Sequence, residues 1–166
     1  MDDNILNDVR ARLVGGSGSL RVALDRAFLS MEQRQPAIAS FVAHDLADIE
    51  EPAAQAIGYY LAVLVVGAFE EAFGRRLGRV ELSDLNGALD CLIVDGEVRG
   101  SSAGFYSEDA LALGQPALIK LLRAEIQRTR PAADGGEAEQ PGQLDTFYET
   151  LLVMIVALTQ AVVPSA

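Results

Sequence analysis

The chain has 166 residues, a formal net charge of −11 and 50% hydrophobic residues, but only 6% aromatic residues and no Trp. That length fits one domain with room for a real core, filled mainly by Ala, Leu, Val and Ile as in packed helices. The acidity disfavours binding to nucleic-acid phosphates or to an anionic membrane surface, which both need a cationic face, and suits solubility or a basic protein partner.

Ile5, Leu6, Val9 and Leu13 share one side of a short amphipathic helix over residues 3–14. Gly15-Gly16-Ser17-Gly18-Ser19 ends it as a flexible joint, with Ser19 placed to cap the next helix. Helical spacing continues through Leu20, Leu24, Ala27, Phe28 and Met31 as far as Gln35-Pro36. There proline removes an amide donor and crowds the preceding turn, which either kinks the helix or starts a new one. Ile38, Phe41, Val42, Leu46 and Ile49 form the stripe of a helix to about Asp48. Pro52 then opens a long apolar helix to about Phe73, with Gly74 as its C-terminal cap.

Ser83-Asp84 caps a further helix with Leu85, Ala88, Leu89, Leu92 and Ile93 in register. Asp95-Gly96 and Gly100–Gly104 read as loop, and a small hairpin over 91–99 is the weaker alternative. Ser107 caps a helix broken at Gly114-Gln115-Pro116, which resumes through Leu118, Leu121, Leu122 and Ile126 to about Arg128. Pro131–Gly142 has the composition of a linker, and a last helix runs from about Gln143 to Val162.

The runs Pro52–Phe69 and Thr150–Ala166 carry no charge and approach the length of a membrane span. Their flanks are acidic (Glu50, Glu51, Glu70, Glu71, Glu149) with no Lys/Arg bias to set an orientation, so they read as buried core helices and no membrane is expected. Cys91, the single cysteine, excludes an internal disulfide and fits a reducing compartment. Met1-Asp2-Asp3 has the wrong charge for a signal peptide, so the expected location is cytoplasmic.

Two stretches resemble each other. Gln35, Pro36, Ile38, Phe41, Val42 and Leu46 recur as Gln115, Pro116, Leu118, Leu121, Leu122 and Ile126 at an offset of 80. Pro52, Tyr59 and Val63–Val66 recur as Pro141, Tyr148 and Leu152–Ile155 at an offset of 89, the second copy having the longer linker. Apolar runs align easily by chance, but the matched prolines and their order favour duplication. The expected fold is all-α: a helical bundle of about six to seven helices built from two similar α-hairpins, an internal pseudo-two-fold repeat. The expected organisation is a single all-α domain over 1–166, with an N-terminal helix and flexible joint at 1–19 and the first helical repeat at 20–73. A connecting helix and loop come next at 74–104, then the second helical repeat at 105–166 with a flexible linker at 131–142.

Chemistry-bearing signatures are sparse. One His and one Cys cannot close a zinc tetrahedron without several carboxylates, and paired Glu-x-x-His motifs for a di-iron centre are missing. Gly15-Gly16-Ser17-Gly18 follows no strand and lacks the Lys-Ser/Thr ending of a phosphate loop. His44 reads as a solvated residue paired with Asp48, and Cys91 as an inert core thiol. Glu70 and Glu71 oppose the helix macrodipole at their C-terminal position, with Arg75 and Arg76 as the expected compensation.

Asp45 is the sharper anomaly, because it falls between Phe41 and Ile49 inside an apolar stripe, as Glu125 does in the second copy. An ionised carboxylate does not enter such a face alone. Tyr59 and Tyr148, on the partner helices, are the expected donors, along with Arg side chains. These four residues form the candidate buried polar or ligand site; no catalytic residue, cofactor or metal is expected.

The function expected is that of a non-catalytic helical adaptor or regulator, not an enzyme, working as a homodimer that buries surplus apolar surface against a second copy. A basic protein partner fits the charge, and no nucleic acid is expected. The alternative is a small-molecule- or metal-binding bundle that uses Asp45 and Glu125 as inward carboxylates.

Overall fold

The computed structural model describes residues 1–14, 20–99, 114–129 and 143–164. Among them are seven α-helices: α1 (Asp3–Val14), α2 (Leu20–Arg34), α3 (Pro36–Ala47), α4 (Pro52–Phe73), α5 (Leu82–Arg99), α6 (Pro116–Thr129) and α7 (Gln143–Gln160). No strand occurs among the described residues; β-pairing there is limited to one antiparallel bridge, Leu77 with Val162. The expected joint at 15–19, the loop at 100–104, the helix from Ser107 and the linker at 131–142 lie outside the described residues.

Proline marks the helix starts. Pro36, Pro52 and Pro116 each occupy the first position of a helix, where the missing amide has no intrahelical partner to lose and the fixed φ suits the helix. The open question at Gln35-Pro36 is thereby answered: α2 ends at Arg34 and a new helix begins. The Gln35 amide still donates to Met31 O at 2.7 Å, while Gln35 O accepts from Ala39 at 3.0 Å, so the joint loses little backbone hydrogen bonding. Gly74 closes α4 with φ +52°, in the left-handed region, and its amide donates to Glu70 O. The alternative hairpin over 91–99 is overturned, because α5 continues as helix to Arg99 through Asp95-Gly96. The cap of α5 also differs from the expected Ser83-Asp84 start. Asp84 sits inside the first turn and its carboxylate accepts from the Glu81 amide at 2.8 Å.

Helix α4 forms the axis of the molecule. It packs on α1, α2, α3, α6 and α7, while α7 also packs on α3 and α5. Residues Leu61–Val66 of α4 are buried without a break, and so are Thr150–Leu158 of α7. Residues Pro52–Arg76 are long and apolar enough, by length and composition, to cross a membrane, but 56% of the span's apolar 18-residue stretch is buried inside the chain. Five neighbouring helices of the same chain pack on α4. Gly58 lets α4 approach α3 and α7 closely, since a Cβ there would collide with Leu46 and press on Phe147. Gln55 ties the same ends together, its Nε2 donating to Leu46 O at 2.9 Å.

The exits of the two core helices meet. Gly78 N donates to Ala161 O and Val163 N to Arg76 O, each at 2.9 Å, around the Leu77–Val162 bridge. Gln35, only 4% exposed, fastens this seam to α3. Its Nε2 donates to Gly78 O at 2.9 Å and its Oε1 accepts from Val80 N at 2.8 Å. Removing the amide leaves a part-buried carbonyl and a buried N–H without these partners, so Gln35→Ala is expected to lower unfolding free energy by about 1–3 kcal/mol in denaturant titration. Gln35→Glu, which keeps the shape but has no donor for Gly78 O, is expected to be destabilising as well.

Candidate functional site

Asp45 sits on α3 facing α7, as the inward position on its stripe requires, and is half-buried. The buried Thr150 supplies its partner: the hydroxyl donates to Asp45 Oδ2 at 2.5 Å. A charge-assisted bond of this kind satisfies part of the carboxylate and fixes α3 against α7. Both residues line an open cavity of about 430 Å³ that also holds Phe41, Ile49, Leu89 and Phe147.

Glu125 sits on α6, its side chain 15% exposed, and one oxygen takes two guanidiniums: Arg10 Nη2 of α1 at 3.0 Å and Arg128 Nη1 at 2.7 Å. Tyr60 of α4 shares this cluster. Its phenol pKa is raised above 10.0, first by burial and then by the Glu125 charge, with Arg10 pulling the other way, so it remains a neutral hydroxyl. The cavity at Glu125, about 520 Å³, is lined by Asn7, Arg10, Leu24, Ile57 and Tyr60 among others, and shares no lining residue with the Asp45 cavity.

The two tyrosines have different surroundings. Tyr59 turns toward α2 and meets Phe28 edge-on, ring centroids 5.0 Å apart at 85°. Tyr148, 3% exposed, accepts a hydrogen bond from Arg123 Nε at 3.3 Å. Arg10 and Arg128 take the donor role at Glu125, as expected of Arg side chains, while Thr150, hidden in an apolar run, takes it at Asp45. A hydroxyl inside an otherwise apolar stretch was the available signal for Thr150; no local pattern marks Arg10.

Another expectation is corrected. Cys91 is exposed, because it lies about a quarter-turn away from the Leu85, Ala88 and Leu92 stripe that faces the core. Glu70 and Glu71 also find partners on neighbouring helices, Arg34 (3.0 Å) and Arg12 (2.7 Å), which the sequence did not mark. His44 is exposed on α3, in keeping with its reading as a solvated residue.

Among the described residues no group of three His, Cys, Asp or Glu side chains is placed to hold a metal ion. The chemistry on display is hydrogen bonding and charge neutralisation between helices. Compared with protein-family models, curated proteins and solved structures, the chain matches none.

Separate cavities predict independent energetics. Asp45→Ala and Glu125→Ala are each expected to cost about 1–2 kcal/mol, discounted at Glu125 because Arg10 and Arg128 remain partly solvated. The double variant should be additive within about 0.5 kcal/mol in urea unfolding; a larger coupling would indicate a shared site.

Glu70 supplies a pH test. Burial raises its pKa above the ordinary 4.5, and the Arg34 guanidinium only partly offsets this. The folded chain therefore binds that proton more tightly than the unfolded chain, and the ionised residue costs stability above its raised pKa. That cost fades as pH falls toward and below 4.5. Glu70→Gln should raise the melting temperature at neutral pH and change it little at about pH 4. A lower melting temperature at neutral pH would mean that the Arg34 pair outweighs burial.

Proposed function

We propose that this chain is a non-catalytic helical adaptor or regulator that acts through protein–protein contact as a homodimer. The observation that carries this reading is the outer stripe of α2. Val22 (51% exposed) and Leu29 (57%) stand two turns apart with exposed Asp25 and Arg26 between them. Neither charge has an ion-pair partner among the described residues. The order is self-complementary: an antiparallel pairing about a point midway between Asp25 and Arg26 sets Val22 against Leu29 and opposite charges against each other. An isologous two-fold contact demands that property.

The finer architecture belongs to the same reading. We read the chain as a duplicated unit of two similar α-hairpins, with a pseudo-two-fold axis near the Leu77–Val162 bridge. What supports it is that Gln35-Pro36 and Gln115-Pro116 both open helices with the glutamine buried, and that α1 lies on α4 as α5 lies on α7. Exposure of a single thiol, Cys91, suits a reducing, cytoplasmic setting. The alternative of a ligand or metal bundle finds less support, since Glu125 is neutralised by two arginines and Asp45 opens into a different cavity.

Light scattering on the purified chain at tens of micromolar is expected to give a dimer mass. Val22→Glu with Leu29→Glu, both at exposed positions, should give a folded monomer by the same measurement. A wild-type chain that stays monomeric would sink the dimer.

A further inference from the structure

The cavity beside Asp45 belongs to a larger surface on the side of the molecule walled by α3, α5 and α7. Its floor is apolar: Phe41 is half-buried, Ile49, Phe147 and Val153 are buried, and Leu89 is 41% exposed. Leu89 extends this floor along α5, because Leu82 (62% exposed) and Ile93 (51%) fall on the same stripe two turns before it and one turn after. Large aliphatic side chains left in water at helical spacing form a face that no described residue covers.

The charge around this floor has one sign. Asp45, Asp48 and Glu149 rim the cavity, and among the described residues none of them makes an ion pair. Helices α3, α5 and α7 together hold one of the chain's 13 Lys and Arg residues, Arg99 at the end of α5. Among the cations on other described elements, Arg10, Arg12, Arg34 and Arg128 are occupied by carboxylates of the chain itself. The acidic groups of the groove are therefore left for something from outside.

We infer that this groove docks a basic amphipathic helix of a partner protein, its apolar face on Phe41, Leu89 and Ile93 and its Lys or Arg residues over Asp48 and Glu149. A helix laid between helices is a common way to fill such a groove, with aliphatic anchors one or two turns apart giving affinity and the charged rim giving orientation and rate. A second copy of this chain is the wrong occupant, because its corresponding face would bring the same carboxylates. The inference rests on the reading of the chain as an interaction protein, but uses a face separate from the α2 stripe.

The probe is a labelled peptide of about 18 residues with Leu on one helical face and Lys on the other, beside a control in which Glu replaces every Lys. Fluorescence anisotropy and amide chemical-shift mapping are read on the full chain. The basic peptide should bind, lose affinity steeply as salt rises, and shift amides around Phe41, Asp48, Leu89 and Glu149; the acidic control should not bind. Asp48→Asn with Glu149→Gln should weaken binding roughly tenfold and flatten the salt dependence. Leu89→Ser should weaken binding and leave the salt dependence in place. All three substitutions are at exposed positions, and circular dichroism checks that the variants fold. Equal binding of the acidic peptide, shifts confined to α2, or indifference to the charge variant would each overturn the groove. Light scattering of the same samples separates the two readings. A monomer that still binds the peptide in the groove supports this inference and removes only the dimer, while a dimer that ignores the peptide removes only the groove.

Discussion

Two helices without a polar side have to be hidden, and the rest of the chain is arranged to do so. Exposed, each aliphatic side chain on α4 or α7 would cost about 1.5–3 kcal/mol relative to burial, more than the net stability of a domain can absorb several times over. Laying the two along each other covers one face of each. The amphipathic helices α1, α2, α3 and α6 then close around α4, and α3 and α5 around α7. Small residues set how tightly this can be done: at Gly58 the backbone of α4 comes within reach of Leu46 and Phe147, which a larger side chain would prevent.

Once the core is fixed in this way, charge divides between two sides. Where α1, α2 and α6 meet the bundle, arginines and carboxylates neutralise each other: Arg10 and Arg128 on Glu125, Arg12 on Glu71, Arg34 on Glu70. Most of these pairs span different helices and hold the amphipathic shell against the axis. Helices α3, α5 and α7 carry a single Arg between them, at the end of α5, and the carboxylate that enters the packed region there, Asp45, is held by a hydroxyl. The net charge of −11 is thus a local property as much as a global one.

The elements of the fold were largely legible from the sequence. Pro36, Pro52 and Pro116 announce helix starts because proline at the first turn loses nothing, and Gly74 announces an end because its left-handed φ suits no other residue as well. Burial of α4 and α7 was legible from composition; what covers them was not, since coverage depends on how the other segments pack. Asp45 was recognisable as inward-facing by spacing alone, yet its partner Thr150 lies 105 residues away, and no local pattern connects them. Cys91 was misplaced for a related reason: a residue at the edge of an apolar stripe is turned out or in by where the neighbouring helix lies. Gln35 showed only as a residue before proline, and its role in gripping Gly78 and Val80 depends on a chain segment that returns after α4 has been traversed.

The seam at Leu77 and Val162 has a consequence for biosynthesis. Helix α4 is complete at Phe73, but the helix that lies along it begins only at Gln143. At ordinary translation rates the ribosome needs on the order of ten seconds to make the intervening stretch. During that interval the greasiest part of the nascent polypeptide has α1, α2 and α3 for shelter and an open flank where α7 will lie. The polypeptide is therefore at greatest risk of clumping, and in greatest need of a holding chaperone, between the making of α4 and the making of α7.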